Sequence, residues 1–460
     1  MDRLRRDPLY LDLALYGLAA AFAVYTALAS SLPAHRFWGA VVLGGYIPAA
    51  LLTIMFLTRY AAPVRNRLTV AIGCGIAVTA FPLLAEAIQR AQGTAGRAQE
   101  EVLVIEDSGV RLWETGNPYL TTPEIAALAD PISGYNPYQP GMSLFGLPRA
   151  WFGEHWFTDA RIYFAAATVA AVWLALRMLR ERGLTTSASV RAIQAVFVVP
   201  VCALTLATGG DDLPVVALGV LALAASATDR AVVAGIAIGL AAALKLFAWP
   251  VLVVIAVLAW RKGMLGRFAL PAVALPVVTL LPVVLRDFRA FYDNVIGYPL
   301  GEGVIQSTAA SPLPGYLIAQ HLPGGRTITL LLLGVAAVGF AAYLWRRPIR
   351  FAHQAAALCA VGLLLAMCLM PSSRFGYLLY PAVFGIWWWV LRETEQPRSP
   401  WSSGIAEHSD VVTGVVTGVV TGVEPGVAEP HIEVVSETVA EPGESVINAE
   451  TERDDPIQPR

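Results

Sequence analysis

One lysine stands alone in apolar sequence. Lys245 lies inside Gly235-Ile-Ala-Ile-Gly-Leu-Ala-Ala-Ala-Leu-Lys-Leu-Phe-Ala-Trp-Pro250, which holds no other charge; the chain's second lysine, Lys262, sits in the basic patch Arg261-Lys262-Gly-Met. An ammonium at membrane depth costs roughly 2.5–3.5 kcal/mol on insertion scales, so it faces a polar cavity or an anion. Other charges fall at the ends of apolar runs. Glu106 and Asp107 lie in Val102-Leu-Val-Ile-Glu-Asp-Ser-Gly-Val-Arg-Leu-Trp-Glu-Thr-Gly-Asn-Pro-Tyr119, and Asp211 and Asp212 in Thr208-Gly-Gly-Asp-Asp-Leu-Pro. Arg286 and Arg289 follow a later run, and Arg374 lies in Met370-Pro-Ser-Ser-Arg-Phe-Gly-Tyr-Leu-Leu-Tyr-Pro. A carboxylate can take the proton of an attacking hydroxyl. Cations can stabilise a departing phosphate as its charge grows. Gathered on one side of a membrane, these groups suit sugar transfer from an anionic lipid.

Each has a plainer reading. Asp211 and Asp212 can cap a helix N-terminus, and Lys245 can snorkel to headgroups. The Glu106–Asp107 pair can be a solvated loop edge, and Arg374 a topological charge at a span end. Tyr119 and Tyr138 sit in Asn-Pro-Tyr elements, where turn chemistry with tyrosine packing competes with a sugar-contact role.

The elements that must position them are membrane helices. A hydrophobic share of 56% and a charged share of 14% over 460 residues exclude an ordinary soluble globule. The net charge of −2 gives no basic face for nucleic acid. The four cysteines (Cys74, Cys202, Cys359, Cys368) lie in apolar runs without paired spacing, and the six histidines are scattered, so neither disulfides nor metal ligands are indicated. Apolar runs long enough to cross a bilayer recur at about 9–30, 38–58, 68–88, 158–177, 192–207, 212–227, 231–244, 248–260, 268–285, 328–345, 353–371 and 376–391. The first run is too long for a signal-peptide core and reads as a retained anchor.

Arginine placement orients these twelve segments. Arg3, Arg5 and Arg6, then Arg59, Arg65 and Arg67, then Arg177, Arg180, Arg182 and Arg191, then Arg261, Lys262 and Arg267, then Arg346, Arg347 and Arg350 all fall on one side, the cytoplasmic one. Because Arg230 and Arg261 share that side, residues 231–260 must be two short helices turning near Lys245–Pro250, and Pro250 supports the break. The turn must be buried in protein or border a cavity. Two long outer connections remain, 89–157 and 286–327, the first with a short helix around Thr122–Leu128 capped by Thr121 or Thr122. Residues 1–392 thus form the membrane domain. Residues 393–460 read as a disordered acidic cytoplasmic tail, with Val411-Val-Thr-Gly repeating before Glu and Pro dominate.

Glu106…Arg111-Leu-Trp…Gly116-Asn-Pro-Tyr119, followed by Tyr135-Asn-Pro-Tyr-Gln-Pro140, Leu147-Pro148 and the Gly235–Pro250 stretch, resembles glycosyltransferase family 87 over roughly residues 70–390. That resemblance implies an all-α GT-C-like bundle, here of about twelve transmembrane helices with two long outer loops. It further implies a polyprenyl-phosphate sugar donor, the mannose carrier typical of the family, and a glycolipid or glycan acceptor at the extracytoplasmic face. The family's acid precedes the Gly-Asn-Pro-Tyr element by a few residues more than Glu106 and Asp107 do, and these two are its nearest counterparts. Members often have one span before that loop, against three here; an odd number keeps the loop outside. On this reading Glu106 or Asp107 is the general base of an inverting transfer. Lys245, Arg374 and Arg289 hold the donor phosphate, and Arg111, Tyr119, Tyr138, Asp211 and Asp212 contact substrate. Neither metal nor cofactor is required, since two cations can meet the phosphate. The rival class is a polytopic transporter or lipid flippase, whose mark is internal symmetry between halves.

Overall fold

The computed structural model describes residues 8–58 and 64–395, which are helical apart from their connections and contain one isolated bridge, Ala310–Ser373, and no extended strand. Arg3, Arg5, Arg6 and Arg59, and the repeat-bearing tail from residue 396 on, lie outside the described residues. Helices form at all twelve apolar segments. They are α1 (Pro8–Ala29), α2 (Pro33–Thr58) and α3 (Asn66–Ala91) before the first outer connection. Within that connection lie α4 (Glu100–Thr115), α5 (Thr122–Ala126) and α6 (Leu147–Phe152). Then come α7 (Ala160–Arg180), α8 (Thr186–Phe197), α9 (Pro200–Thr208), α10 (Asp212–Ala227), α11 (Ala231–Leu244), α12 (Ala248–Arg261) and α13 (Leu265–Arg286). After the second connection, which carries α14 (Pro314–His321), come α15 (Gly325–Arg346), α16 (Ala352–Leu369) and α17 (Leu379–Glu395). The last helix passes the expected domain boundary at 393, because Glu395 accepts from the Ala352 and His353 amides at the start of α16, at 2.8 and 2.9 Å.

Among the described residues, seven helices, α1, α2, α3, α7, α13, α15 and α16, are long and apolar enough to cross a membrane, and the α8–α9 pair, bent by 49°, makes eight if counted as one span. This is a multi-pass membrane protein. The full-length crossings are thus fewer than the twelve apolar segments. With 14 residues, α11 reaches only about 21 Å, against a hydrocarbon core of about 30 Å.

The short helices are packed inside the bundle. On α10, 15 of 16 residues are buried. Gly235 and Gly239, one turn apart on α11, face the Phe268 and Pro271 carbonyls of α13 so closely that a methyl at either would strike backbone. That small-xxx-small seam lets two backbones touch where lipid supplies no hydrophobic drive between helices. As the charge pattern required, α11 ends at Leu244, Lys245 is extended (φ −154°, ψ 145°), and α12 begins at Ala248.

Among the described residues, members of the basic clusters make ion pairs with the acids beside them. Asp229 accepts from Arg182 and Lys262, each at 2.7 Å, and Arg230 pairs with Glu181. Nearby, buried Asp12 of α1 joins Arg67 at 2.7 Å and Arg191 at 2.6 Å, tying the N-terminal helices to α8. Asp211 and Asp212 start α10, while Asp229 follows its other end.

The first outer connection holds two helices not read from the sequence, α4 and α6. Residues 100–115, expected as loop, form α4, which buries Val102, Ile105, Glu106 and Gly109 at helical spacing. The short helix near Thr122 is present as α5, where the Thr121 amide and hydroxyl both donate to Glu124, at 2.7 and 2.6 Å.

Candidate active site

The α11–α12 turn opens into a cavity of about 520 Å³ with two unlike ends. The charged end presents Glu100 and Glu101 from the first turn of α4, Lys245, and Arg374 from the segment before α17. The other end is an apolar arm between α12, α15 and α16, where Val254, Ala337, Phe340, Leu358, Gly362 and Ala366 face one another. On its open side, α15 buries only Gly325, Thr329 and Leu344.

Lys245 is held by partners within the bundle. Its Nζ donates to Asp211 Oδ2 at 2.7 Å and Asp212 Oδ1 at 2.6 Å, and the Tyr380 hydroxyl donates to the same Asp212 oxygen at 2.7 Å. The rings of Tyr138 and Tyr377 lie 5.1 and 5.2 Å from the ammonium, within cation–π range. Burial by itself lowers the ammonium's pKa, but Asp211 and Asp212 outweigh it and raise the pKa above that of free lysine. Burial pushes the Asp211 carboxyl up to about 6, against the pull of Lys245 and with the push of Asp212. A lysine has three N–H donors; two are spent on these aspartates. Asp211 and Asp212, expected on substrate, do not line the cavity: they are Lys245's counter-ions.

The two Asn-Pro-Tyr elements build the wall beside this triad. Asn117 accepts from the Tyr119 amide at 3.1 Å and Asn136 from the Tyr138 amide at 3.2 Å, so both are Asx-type turns. The Tyr119 hydroxyl donates to the Tyr138 carbonyl at 2.7 Å, and the Gln139 amide to the Leu244 carbonyl at 3.1 Å, which anchors the outer connection on the end of α11. Tyr138 therefore reaches the cavity. Tyr119 is spent on packing, with its ring against Phe291 at 5.9 Å.

The expected acids do not share that cavity. Glu106, on the other side of α4 from Glu100, is gripped by Arg90 in a two-pronged pair at 2.9 and 2.6 Å, approached by Arg149 at 3.3 Å, and accepts from the Ala160 amide at 3.0 Å. With both oxygens engaged, it staples α3, α4 and α6 to the start of α7. Asp159 completes the staple by binding Arg90 at 3.1 Å and Arg161 at 2.8 Å. Asp107 lies seven residues beyond Glu100, about 10 Å farther along the helix, outside the cavity lining. Two more residues do not join the site. Arg289, 85% exposed, pairs with Asp293 at 3.0 Å, and Arg111 donates to the Pro118 carbonyl at 3.2 Å to hold the turn after α4.

Glu100 and Glu101 were missed. Both precede Gly116-Asn-Pro-Tyr119 by more residues than Glu106 does, toward the longer spacing that the family resemblance implies. Their place in the first turn of α4 was hidden because that stretch was read as loop. Glu101 pairs with Arg374, whose guanidinium also donates to Thr308 Oγ1 at 2.5 Å.

The family model of glycosyltransferase family 87 matches residues 136–372, just over half of the chain, and includes Tyr138 and Lys245 but not α4. Two solved structures are similar: ArnT from Cupriavidus metallidurans in the apo state (16% identity) and bound to undecaprenyl phosphate (15%), each with a TM-score of 0.40. In both cases the similarity covers 71% of this chain and 61% of ArnT, so the chain spans about three fifths of that protein's length. No curated protein matches the chain significantly. By the extent of the family match, the chain belongs to glycosyltransferase family 87.

Proposed function

We propose that the protein transfers a hexosyl group from a polyprenyl phosphate to a hydroxyl of a glycolipid or glycan, at the end of the bundle opposite the basic clusters, which is the extracytoplasmic face by the positive-inside rule. On the same rule both termini are cytoplasmic. The observation that carries this reading is the two-ended cavity: a single space joins Glu101, Lys245 and Arg374 to an apolar arm between α12, α15 and α16. A lipid-linked phosphate has the same division, a charged head on a hydrocarbon chain. Ligand sites of this kind set a few polar groups in a mainly apolar lining.

Glu101 is the base. It is the more enclosed of the two cavity acids, with Glu100 exposed at the rim. Arg374 is the cation that exchanges partners: when the donor phosphate binds it, Glu101 is released to face the acceptor. The acceptor oxygen bonds to the anomeric carbon as its proton passes to Glu101. The bond from that carbon to the phosphate oxygen breaks on the opposite face, and its electron pair leaves with the polyprenyl phosphate. Arg374 and the third N–H of Lys245 meet that charge. The transition state has the oxocarbenium character of glycoside chemistry, and attack from the opposite face inverts the anomeric centre. A β-linked donor gives an α-linked product. Mannose is the sugar implied by the family resemblance, and an envelope glycan the acceptor.

The test is reconstitution in liposomes with a radiolabelled polyprenyl-phosphate hexose. Label moving into a glycolipid or glycan, with release of polyprenyl phosphate, supports the reading. Label crossing the bilayer with no new covalent product refutes it and makes the protein a transporter.

A further inference from the structure

A second, smaller cavity of about 200 Å³ adjoins the first. Ser307, Ala309 and Ser372 border both. The partition is a clasp between two loops: the Ser311 amide donates to the Ser373 carbonyl at 2.9 Å, the Ser373 amide to the Ala309 carbonyl at 3.0 Å, and the Ser372 hydroxyl to Ala309 at 2.8 Å. Thr308, on the same loop, binds Arg374 in the larger cavity. Anything seated in the small cavity is thus one loop's thickness from the charged end of the large one.

Its lining differs in kind. Gln306, Ser307, Tyr316, Gln320 and Ser372 offer neutral donors and acceptors, and Arg326 supplies a cation. Arg326 has no carboxylate partner among the described residues, and its guanidinium donates to the Gly301 carbonyl at 3.5 Å. Gly301, at φ +82°, lies so close beneath that guanidinium that any side chain there would collide with it. Amides and hydroxyls match the many hydroxyls of a carbohydrate, and an unpaired guanidinium matches an anion. The volume falls below the roughly 300–1,000 Å³ of ordinary small-molecule sites and suits a single sugar-sized unit.

From this geometry we infer that the small cavity seats the carbohydrate head of the acceptor, with an anionic group of that head against Arg326. The inference rests on the transferase reading above and adds the acceptor's chemical class: a hydroxyl-rich head carrying a phosphate or a similar anion. The donor occupies the large cavity, and the acceptor hydroxyl reaches Glu101 past the clasp between Ala309 and Ser372–Ser373.

The experiment uses full-length protein in nanodiscs preloaded with decaprenyl phosphate, with saturation-transfer NMR on methyl glucoside and methyl glucoside 6-phosphate. Wild type should give signal for both probes, stronger for the phosphate. Arg326→Gln should reduce the phosphate-probe signal at least fivefold while sparing the neutral probe. Ala319→Trp, which fills only the small cavity, should abolish both. Retained decaprenyl phosphate binding shows that each variant is folded, and Gln320→Leu, at an exposed position, is the milder substitute where either fails that check. No probe signal in wild type, or signals that Arg326→Gln and Ala319→Trp leave unchanged, overturns the assignment. Hexoside binding without any decaprenyl phosphate binding instead overturns the donor reading and leaves this site standing.

Discussion

Replacing Lys245 with methionine leaves an unbranched side chain one heavy atom shorter and removes the charge, which makes the triad around it a quantitative test. Wild type holds one ammonium between two carboxylates at 2.7 and 2.6 Å, with side-chain exposures of 9%, 4% and 7% for Lys245, Asp211 and Asp212. Lys245→Met leaves two neighbouring acids buried without a counter-ion. Breaking a buried pair by removing one partner costs about 3–5 kcal/mol, and part of that is avoided if Asp211, already raised to about 6, takes a proton. The variant should therefore unfold at a clearly lower temperature in detergent, and lowering the pH from 7 to 5 should recover part of the loss. Adding Asp211→Asn should recover more, since Lys245→Met/Asp211→Asn leaves a single acid, still bonded by Tyr380. The assay is tryptophan fluorescence during heating, run beside polyprenyl phosphate binding. If Lys245→Met unfolds with wild type at every pH, the triad contributes nothing and the reasoning about it is refuted.

Four further outcomes follow from the same geometry. Glu106→Gln should lower stability by about 3 kcal/mol or more by loosening the Arg90 grip, yet the folded fraction should keep its turnover number; active-site titration separates the two. Arg374→Gln should weaken polyprenyl phosphate binding about tenfold or more, the scale of a lost charge-assisted bond, as measured by fluorescence titration. Because folding raises the Asp211 pKa, that group favours the folded state most below pH 4 and loses its contribution as pH rises through about 6; the stability of Asp211→Asn relative to wild type should therefore climb between pH 4 and 6 in parallel denaturation curves. Ala366→Trp, filling the apolar arm, should raise KM for long-chain donors while sparing short-chain ones.

The sequence made some of this legible and hid the rest for physical reasons. A lone lysine in an apolar run and an even number of crossings between Arg230 and Arg261 led directly to the Lys245 turn, which the structure shows. Asp211 and Asp212 were found as polar residues, but their partnership with Lys245 joins segments more than thirty residues apart, a pairing that no local pattern reveals. Helix phase keeps Glu106 out of the cavity. Once residues 100–115 are seen as a helix, one face carries Glu100, Glu101 and Val104 into the cavity, and the opposite face carries Glu106 to Arg90 and Arg149. Those arginines come from α3 and α6, so the staple is invisible before the tertiary fold. Arg289 illustrates the converse: a cation beside a membrane segment that turned out solvated and paired within its own turn.

The central claim is that Glu101, and neither Glu106 nor Asp107, takes the acceptor's proton. Single-turnover transfer from a polyprenyl-phosphate hexose tests it directly in Glu101→Gln, Glu106→Gln and Asp107→Asn, each normalised to bound donor. Loss of a general base lowers the rate by about 10²–10⁴-fold, so Glu101→Gln should fall by at least a hundredfold with donor binding intact, while the other two stay within a few fold of wild type. Full-speed transfer by Glu101→Gln, or a hundredfold loss in folded Asp107→Asn, contradicts the account.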